Sequence, residues 1–195
     1  VLEYVFCDFN GLLQPERTVA SIVAGMDLNT LKKGLSHQSV ARIMPNTPAQ
    51  IGRGMTVWTT TENVSKEDRE QISGVIKTLG KDYYVTDEKL IDMSTALSAS
   101  GPAYVFLFLE ALIDAGVYLG MSREMSRELT LETVLGSTEL VKDSANHPAV
   151  LKDMVTSPGG TTIEALVSME NDGFRASVIN GVRSAFERSI ELGNR

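Results

Sequence analysis

Thr156-Ser157-Pro158-Gly159-Gly160-Thr161-Thr162-Ile163-Glu164-Ala165-Leu166-Val167 is a tight turn that runs straight into a helix. The paired glycines let the backbone turn sharply and approach a ligand with no Cβ in the way. Ile163, Leu166 and Val167 fall at i, i+3 and i+4, the spacing of one helical face. A helix start carries free N–H groups and a partial positive charge, which suits a small carboxylate or phosphate. Three hydroxyls, Ser157, Thr161 and Thr162, crowd into the same few residues. Taken alone, the stretch also fits an ordinary capped helix after a Pro-Gly turn. Its surroundings decide between the two.

From Glu88 onward the spacing is helical throughout, with segments expected at about 88–98, 101–119, 122–145, 148–155, 161–171 and 173–192. Leu131, Val134, Leu135, Thr138 and Val141 make one stripe; Phe174, Val178, Val182, Ala185 and Phe186 make another. The 101–119 segment is apolar nearly all round, so it calls for cover on several sides. It carries Glu110 and Asp114, and reads as a buried helix rather than a membrane span. A helical domain this small can hardly cover it alone, whereas a partner subunit can.

Before Glu88 the pattern is different. Leu2, Val5, Phe6, Phe9 and Leu12-Leu13 suggest a helix on a sheet. Thr18 to Ala24 is a continuous apolar and β-branched run ending at Gly25, as in a buried parallel strand. Asp27 can cap a short helix through Leu28, Leu31 and Leu35. Strands follow at Val40 to Met44 and Met55 to Thr60. Ser65, with Asp68 three residues on, opens a helix carrying Ile72, Val75, Ile76 and Leu79. A last strand is expected at Asp82 to Thr86. Strands alternating with helices in this way read as part of an α/β sheet.

The composition restricts the class of function. A formal net charge of −7 argues against nucleic-acid or acidic-membrane partners. The single cysteine, Cys7, has no internal disulfide partner, as suits the cytoplasm. No Cys or His spacing suggests a metal site. His37 reads as solvated in a polar loop and His147 as fixing a helix junction, neither as a catalyst. The eight methionines read as core and interface filler.

Upstream of the opening stretch, and in order, stand Val40-Ala41-Arg42-Ile43-Met44-Pro45-Asn46-Thr47-Pro48-Ala49, then Thr95-Ala96-Leu97-Ser98-Ala99-Ser100-Gly101-Pro102-Ala103-Tyr104, then His147-Pro148 and Leu151-Lys152-Asp153. With these in place the chain resembles the Δ1-pyrroline-5-carboxylate reductases, from about Thr18 to about Leu192. Ala99 is one departure, standing where the family usually carries Gly. The resemblance implies the C-terminal half of a Rossmann-type parallel sheet over 1–87, followed by a helical dimerisation and substrate-binding domain over 88–195. Members of that family begin with a Gly-x-Gly-x-x-Gly turn for the cofactor pyrophosphate. None is present here, and the chain opens on Val1 in what reads as mid-domain. The expectation is an N-terminally truncated dinucleotide-binding domain, short of two supersecondary units of roughly 30 residues each.

The resemblance also implies site residues. Val23, Ala24 and Gly25 lie along NADPH or NADH; Asn46 faces the nicotinamide carboxamide or holds its own loop. Backbone N–H groups of Gly160, Thr161 and Thr162 take the substrate carboxylate, with Ser157 in support and Val155 as an apolar wall. Thr162 is the candidate for hydrogen bonding to the ring nitrogen. The implied assembly is a homodimer, or a ring built from dimers, acting on a small-molecule substrate. Two other readings stand beside this one. A hydroxy-acid dehydrogenase needs a lysine at the reacting centre, and Lys142 and Lys152 are the only lysines near the loop. A non-catalytic helical dimerisation module needs no such residue.

Overall fold

Val40–Met44 is buried at all five positions, which only a strand covered on both faces achieves. The structure, a computed structural model, describes residues 2–9 and 11–193. Val1, and Asn194 and Arg195 at the end of the expected helical domain, lie outside that set. The elements in order are α1 (Leu2–Phe9), β1 (Val19–Ser21), α2 (Leu28–Leu35), β2 (Val40–Met44), a 3-10 turn (Thr47–Ile51), β3 (Gly54–Thr60), α3 (Lys66–Thr78) and β4 (Gly80–Tyr84). There follow α4 (Lys89–Ser94), a π-helical turn (Thr95–Ala99), α5 (Gly101–Tyr118), α6 (Arg123–Ser144), α7 (Pro148–Met154), α8 (Thr161–Asn171) and α9 (Phe174–Gly193).

The described strands form one sheet in the order β1-β2-β3-β4. β1–β2 and β3–β4 are parallel, as expected, but β2–β3 is antiparallel and the sheet is therefore mixed. The reason lies in the connection. Residues 45–53 hold only a short 3-10 turn, and a parallel return needs a crossover of a dozen residues or more. β1 is also shorter and less buried than the run Thr18–Ala24 suggests, with Ile22 already exposed. The last strand begins at Gly80 rather than Asp82, and Leu12 and Leu13 fall outside α1.

Alternation along β2 and β3 sends side chains to two cores. Ala41, Ile43 and Trp58 meet Ile76 of α3 on one face, while Met44 and Val57 meet Val85 and Ile91 on the other. Arg42 belongs to the second face and is 2% exposed. Its guanidinium reaches Glu88 at 2.9 Å and Asp92 at 2.7 Å. Glu88 also accepts the Leu28 N–H at 2.7 Å, and Ser189 Oγ lies 3.3 Å from Asp92. One buried cation thus ties β2 to α4, to the start of α2 and to α9. His37 is buried as well, its Nε2 within 2.5 Å of the Arg17 carbonyl. The expectation of a solvated ring fails because the segment before β1 folds over it.

The described residues divide into two compact units, Val1–Pro102 with Gly181–Arg195, and Ala103–Asn180. The first contains the sheet. The second is helical, with α5 and α6 joined tightly where Ser126 Oγ donates to the Ile113 carbonyl at 2.7 Å. No residue of α5 is buried, and Phe106 and Leu107 are 61% and 67% exposed. Lys89–Tyr118 is long and apolar enough to cross a membrane by length and composition. Among the described residues, therefore, the expected cover of α5 is not provided.

The predicted caps are present. Ser65 Oγ accepts from Asp68 N, and Asp27 Oδ1 accepts from Thr30 N at 2.6 Å. Burial alone raises the Asp27 carboxyl, but hydrogen bonds from the side chain and backbone of Thr30, with Arg42 and Lys33 nearby, outweigh it and hold it below its ordinary value. A lowered folded-state pKa gives stability that is present above the unfolded value and lost as pH falls through the folded one. Asp27→Ala is expected to cost about 1 kcal/mol at neutral pH. In thermal melts the gap between the two proteins should close as pH falls below about 4.

Candidate functional site

Two stretches flagged by the sequence lie at one edge of the sheet. β1 and β2 are parallel neighbours in the register Ser21↔Arg42, so the segments that leave them open on the same side. Val23 to Gly25 follow β1, and Pro45 to Pro48 follow β2. In open α/β sheets this carboxyl edge is where ligands sit. Val23 is half-buried, its N–H 3.3 Å from Ser21 Oγ, and Ala24 is exposed. Gly25 is buried with φ +75°, and a Cβ there would press on Leu192 Cβ at 3.0 Å. Its lack of a side chain therefore admits the last turn of α9.

Asn46 is held at both ends of its amide. Its Oδ1 accepts the Met55 N–H at 2.8 Å, and its Nδ2 donates to the Ser98 carbonyl at 3.3 Å and to Ser98 Oγ at 3.4 Å. Sequence reasoning had left open a structural role for Asn46, and these bonds are structural.

The third stretch lies in the helical unit. α7 ends at Met154, and its C-cap Val155 is 66% exposed. The Thr156 hydroxyl turns back to the Lys152 carbonyl at 2.7 Å and closes the helix end. Gly160 N then bonds to the Ser157 carbonyl at 3.1 Å, and Gly159 between them has φ +65°. Pro in the second place and a left-handed Gly in the third make this a type II turn. The turn delivers Gly160 as the N-cap of α8, with no side chain capping the helix. The N–H groups of Thr161, Thr162 and Ile163 thus open the helix without a side-chain acceptor, the arrangement that binds anions. Gly160 has an ordinary φ of −84°, so strain does not require glycine there. The neighbouring hydroxyl does, because a Cβ would collide with Ser157 Oγ. Thr162 is half-buried, Ser157 and Thr161 are exposed, and among the described residues neither the Thr162 nor the Ser157 hydroxyl has a hydrogen-bond acceptor. His147 stands at the start of α7, where Nδ1 accepts the Ala149 N–H at 3.2 Å, the junction role expected of it.

A family model described as pyrroline-5-carboxylate reductase dimerisation matches residues 88–192. The pyrroline-5-carboxylate reductase of Escherichia coli is 39% identical over 189 residues, covering 96% of this chain and 70% of that protein. The chain belongs to the pyrroline-5-carboxylate reductase family. The Synechocystis member is 44% identical over 177 residues, covering 91% of this chain. The chain spans 66% of that relative's length, about two thirds. Among solved structures, the Plasmodium falciparum pyrroline carboxylate reductase with NADP bound superposes with a TM-score of 0.94 at 36% identity, covering 98% of this chain and 72% of that one. The likeness includes both the mixed sheet and the helices that follow it.

Two features of this reductase-family chain were not drawn from its sequence. One is the Arg42 cluster, whose partners lie 46 and 50 residues away. The other is the π-helical turn in Thr95-Ala96-Leu97-Ser98-Ala99, a motif quoted for its family likeness alone. Pro102 was the available signal, since proline removes the N–H that the Ser98 carbonyl needs.

The loop geometry is open to test. Gly160→Ala is expected to destabilise by about 1 kcal/mol through the clash with Ser157 Oγ. Ser157→Ala in the same chain should recover at least half of the lost melting temperature. If the double variant melts no higher than Gly160→Ala, the clash is not the reason for glycine at 160.

Proposed function

We propose that this chain is part of an enzyme that reduces L-1-pyrroline-5-carboxylate to L-proline, the last step of proline biosynthesis, in the cytoplasm. The observation that carries the reading is the uncapped start of α8, free N–H groups beside two hydroxyls without acceptors. NADPH or NADH supplies the hydride when bound. Val23, Ala24 and Gly25 are assigned to the cofactor and Asn46 to holding the loop beside it, an assignment supported by their place at the carboxyl edge of β1 and β2. The fit is partial, because a Gly-x-Gly-x-x-Gly turn is not among these 195 residues.

The rest of the work falls to the substrate loop. The backbone N–H groups of Thr161 and Thr162 take the carboxylate, and the helix dipole favours its charge; the Gly160 N–H expected beside them is instead committed to the Ser157 carbonyl. Ser157 supports the carboxylate, Val155 offers an apolar wall to the ring, and Thr162 hydrogen-bonds the ring nitrogen as its charge changes. Such fixing of the ring is the protein's main contribution when the reductant brings the chemistry. Residues 1–87 are the remainder of a dinucleotide-binding domain and 88–195 the helical dimerisation and substrate domain.

The enzyme works as a homodimer, alone or as the unit of a larger ring. Support comes from α5, apolar and unburied, and from the groove it forms with α6, lined by Phe106, Leu107, Leu109, Ile113 and Leu131. A second copy laid on this face supplies the apolar cover that the single chain lacks, and the matching family model takes its name from dimerisation.

Two experiments test these readings. The full-length polypeptide should oxidise NADPH or NADH only when pyrroline-5-carboxylate is added. Thr162→Ala should lower its kcat/KM roughly ten- to a hundredfold, the scale of one hydrogen bond to a charged group, with Thr162→Ser near wild type and the melting temperature little changed. Full activity in Thr162→Ala removes that residue from the mechanism. For assembly, light scattering at micromolar concentration should give a dimer or a multiple of one. Phe106→Asp should yield monomer or insoluble protein, since an unpaired buried charge is costly; a soluble dimer from that variant would place the interface elsewhere.

A further inference from the structure

In an α-helix each carbonyl accepts from the N–H four residues ahead. For the Ser98 carbonyl that residue is Pro102, which has no N–H and whose ring crowds the carbonyl four residues back. The chain widens locally into the π-helical turn Thr95–Ala99, where the Ser100 N–H reaches the Thr95 carbonyl at 2.9 Å. One turn earlier, the Ile91 carbonyl takes the hydroxyls of Ser94 and Thr95, both at 2.8 Å. The Ser98 carbonyl is served from outside the helix, by Asn46 Nδ2.

The other end of that amide is committed too. Counting on from Met44↔Val57, Asn46 stands opposite Met55, just past the end of the β2–β3 ladder. Its Oδ1 takes the Met55 N–H, and that bond fixes which end of the amide is nitrogen. One side chain therefore joins the loop after β2, the start of β3 and the π-helical turn, all within the same compact unit. Pro45 and Pro48 stiffen the backbone on either side of it.

We infer that Asn46 is a positioning residue, setting the loop Pro45 to Pro48 against the long helix by supplying the hydrogen bond that Pro102 withholds, and not by touching the cofactor. The inference rests on the reductase reading for what the loop faces. It follows that Asn46 and Pro102 are energetically coupled although they never need to touch. Asn46→Asp is the sharpest probe: the carboxylate can still accept from Met55 N–H, but it cannot donate to the Ser98 carbonyl. In a Pro102→Ala background the restored N–H can serve that carbonyl instead.

The experiment is a double-mutant cycle in the full-length polypeptide with Asn46→Asp, Pro102→Ala and both, read by steady-state kinetics and by melting. Asn46→Asp is expected to lower kcat roughly tenfold while the KM for NADPH moves less than about threefold. In the Pro102→Ala background the same change should cost less than about threefold in kcat, and its drop in melting temperature should at least halve. Equal losses in the two backgrounds overturn the inference, as does a loss confined to the KM for NADPH, which marks direct contact. If Pro102→Ala does not fold, Pro102→Gly restores the same N–H and takes its place in the cycle. A wild-type polypeptide without pyrroline-5-carboxylate-dependent activity refutes the reductase reading, and the melting cycle then still decides whether Asn46 and Pro102 are coupled.

Discussion

A buried guanidinium organises the unit that contains the sheet. Arg42 sits in the middle of a strand with no exposed position, where an uncompensated charge would cost several kcal/mol. Glu88 and Asp92 compensate it from the first turn of the long helix, and they pass the constraint on. Glu88 holds the start of α2 through the Leu28 N–H, and Asp92 lies within reach of Ser189 on α9. Such a cluster adds little net stability over a well-packed apolar one. Its effect is on register: α4 cannot slide or rotate on the sheet without stranding a charge. Arg42 Nε remains buried with no partner among the described residues, so the geometry is chosen by the two terminal nitrogens.

With that register held, the turns on either side of it fall into place. The loop after β2 follows Arg42 by a few residues, and the π-helical turn follows Asp92 by a few. Arg42 and Asn46 are thus two fastenings between the same pair of segments, one ionic and buried, one a neutral amide at the sheet's edge. The helical unit is built on a different plan. Its loop from Thr156 to Gly160 is shaped by local devices: a threonine closing α7, a type II turn, and a glycine that makes room for a hydroxyl.

That difference explains what could be read in advance. Caps and turns are written within four or five residues, so Asp27, Ser65 and the Ser157–Gly160 turn were legible, as were the helices after Glu88. Strand direction is not carried by periodicity, and the antiparallel β3 follows from the short span between Met44 and Gly54 instead. His37 looked solvated because its neighbours are polar, and the carbonyl that meets it comes from Arg17, 20 residues back; nothing within Val40–Met44 names the partners of Arg42, since Glu88 and Asp92 lie 46 and 50 residues on. Pro102 did carry a local message, a carbonyl without its donor, but the donor that answers it is 52 residues from Ser98. The role of Val23 to Gly25 was likewise open to sequence alone: Gly25 is shaped by its contact with Leu192, from the opposite end of the chain.

The sheet-containing unit is not continuous in sequence: the chain leaves it at Pro102 and returns at Gly181. During synthesis, therefore, the four strands are all present once Tyr84 has emerged, but the unit around them stays open until the residues from Gly181 onward follow. Until α9 arrives, Gly25 has no cover and Asp92 lacks Ser189. The helical unit, whose residues are consecutive, is free to fold in the interval, contrary to the usual N-terminal-first order. Loss of the part of α9 that follows Gly181 would thus be felt at the carboxyl edge of β1, where Gly25 meets Leu192.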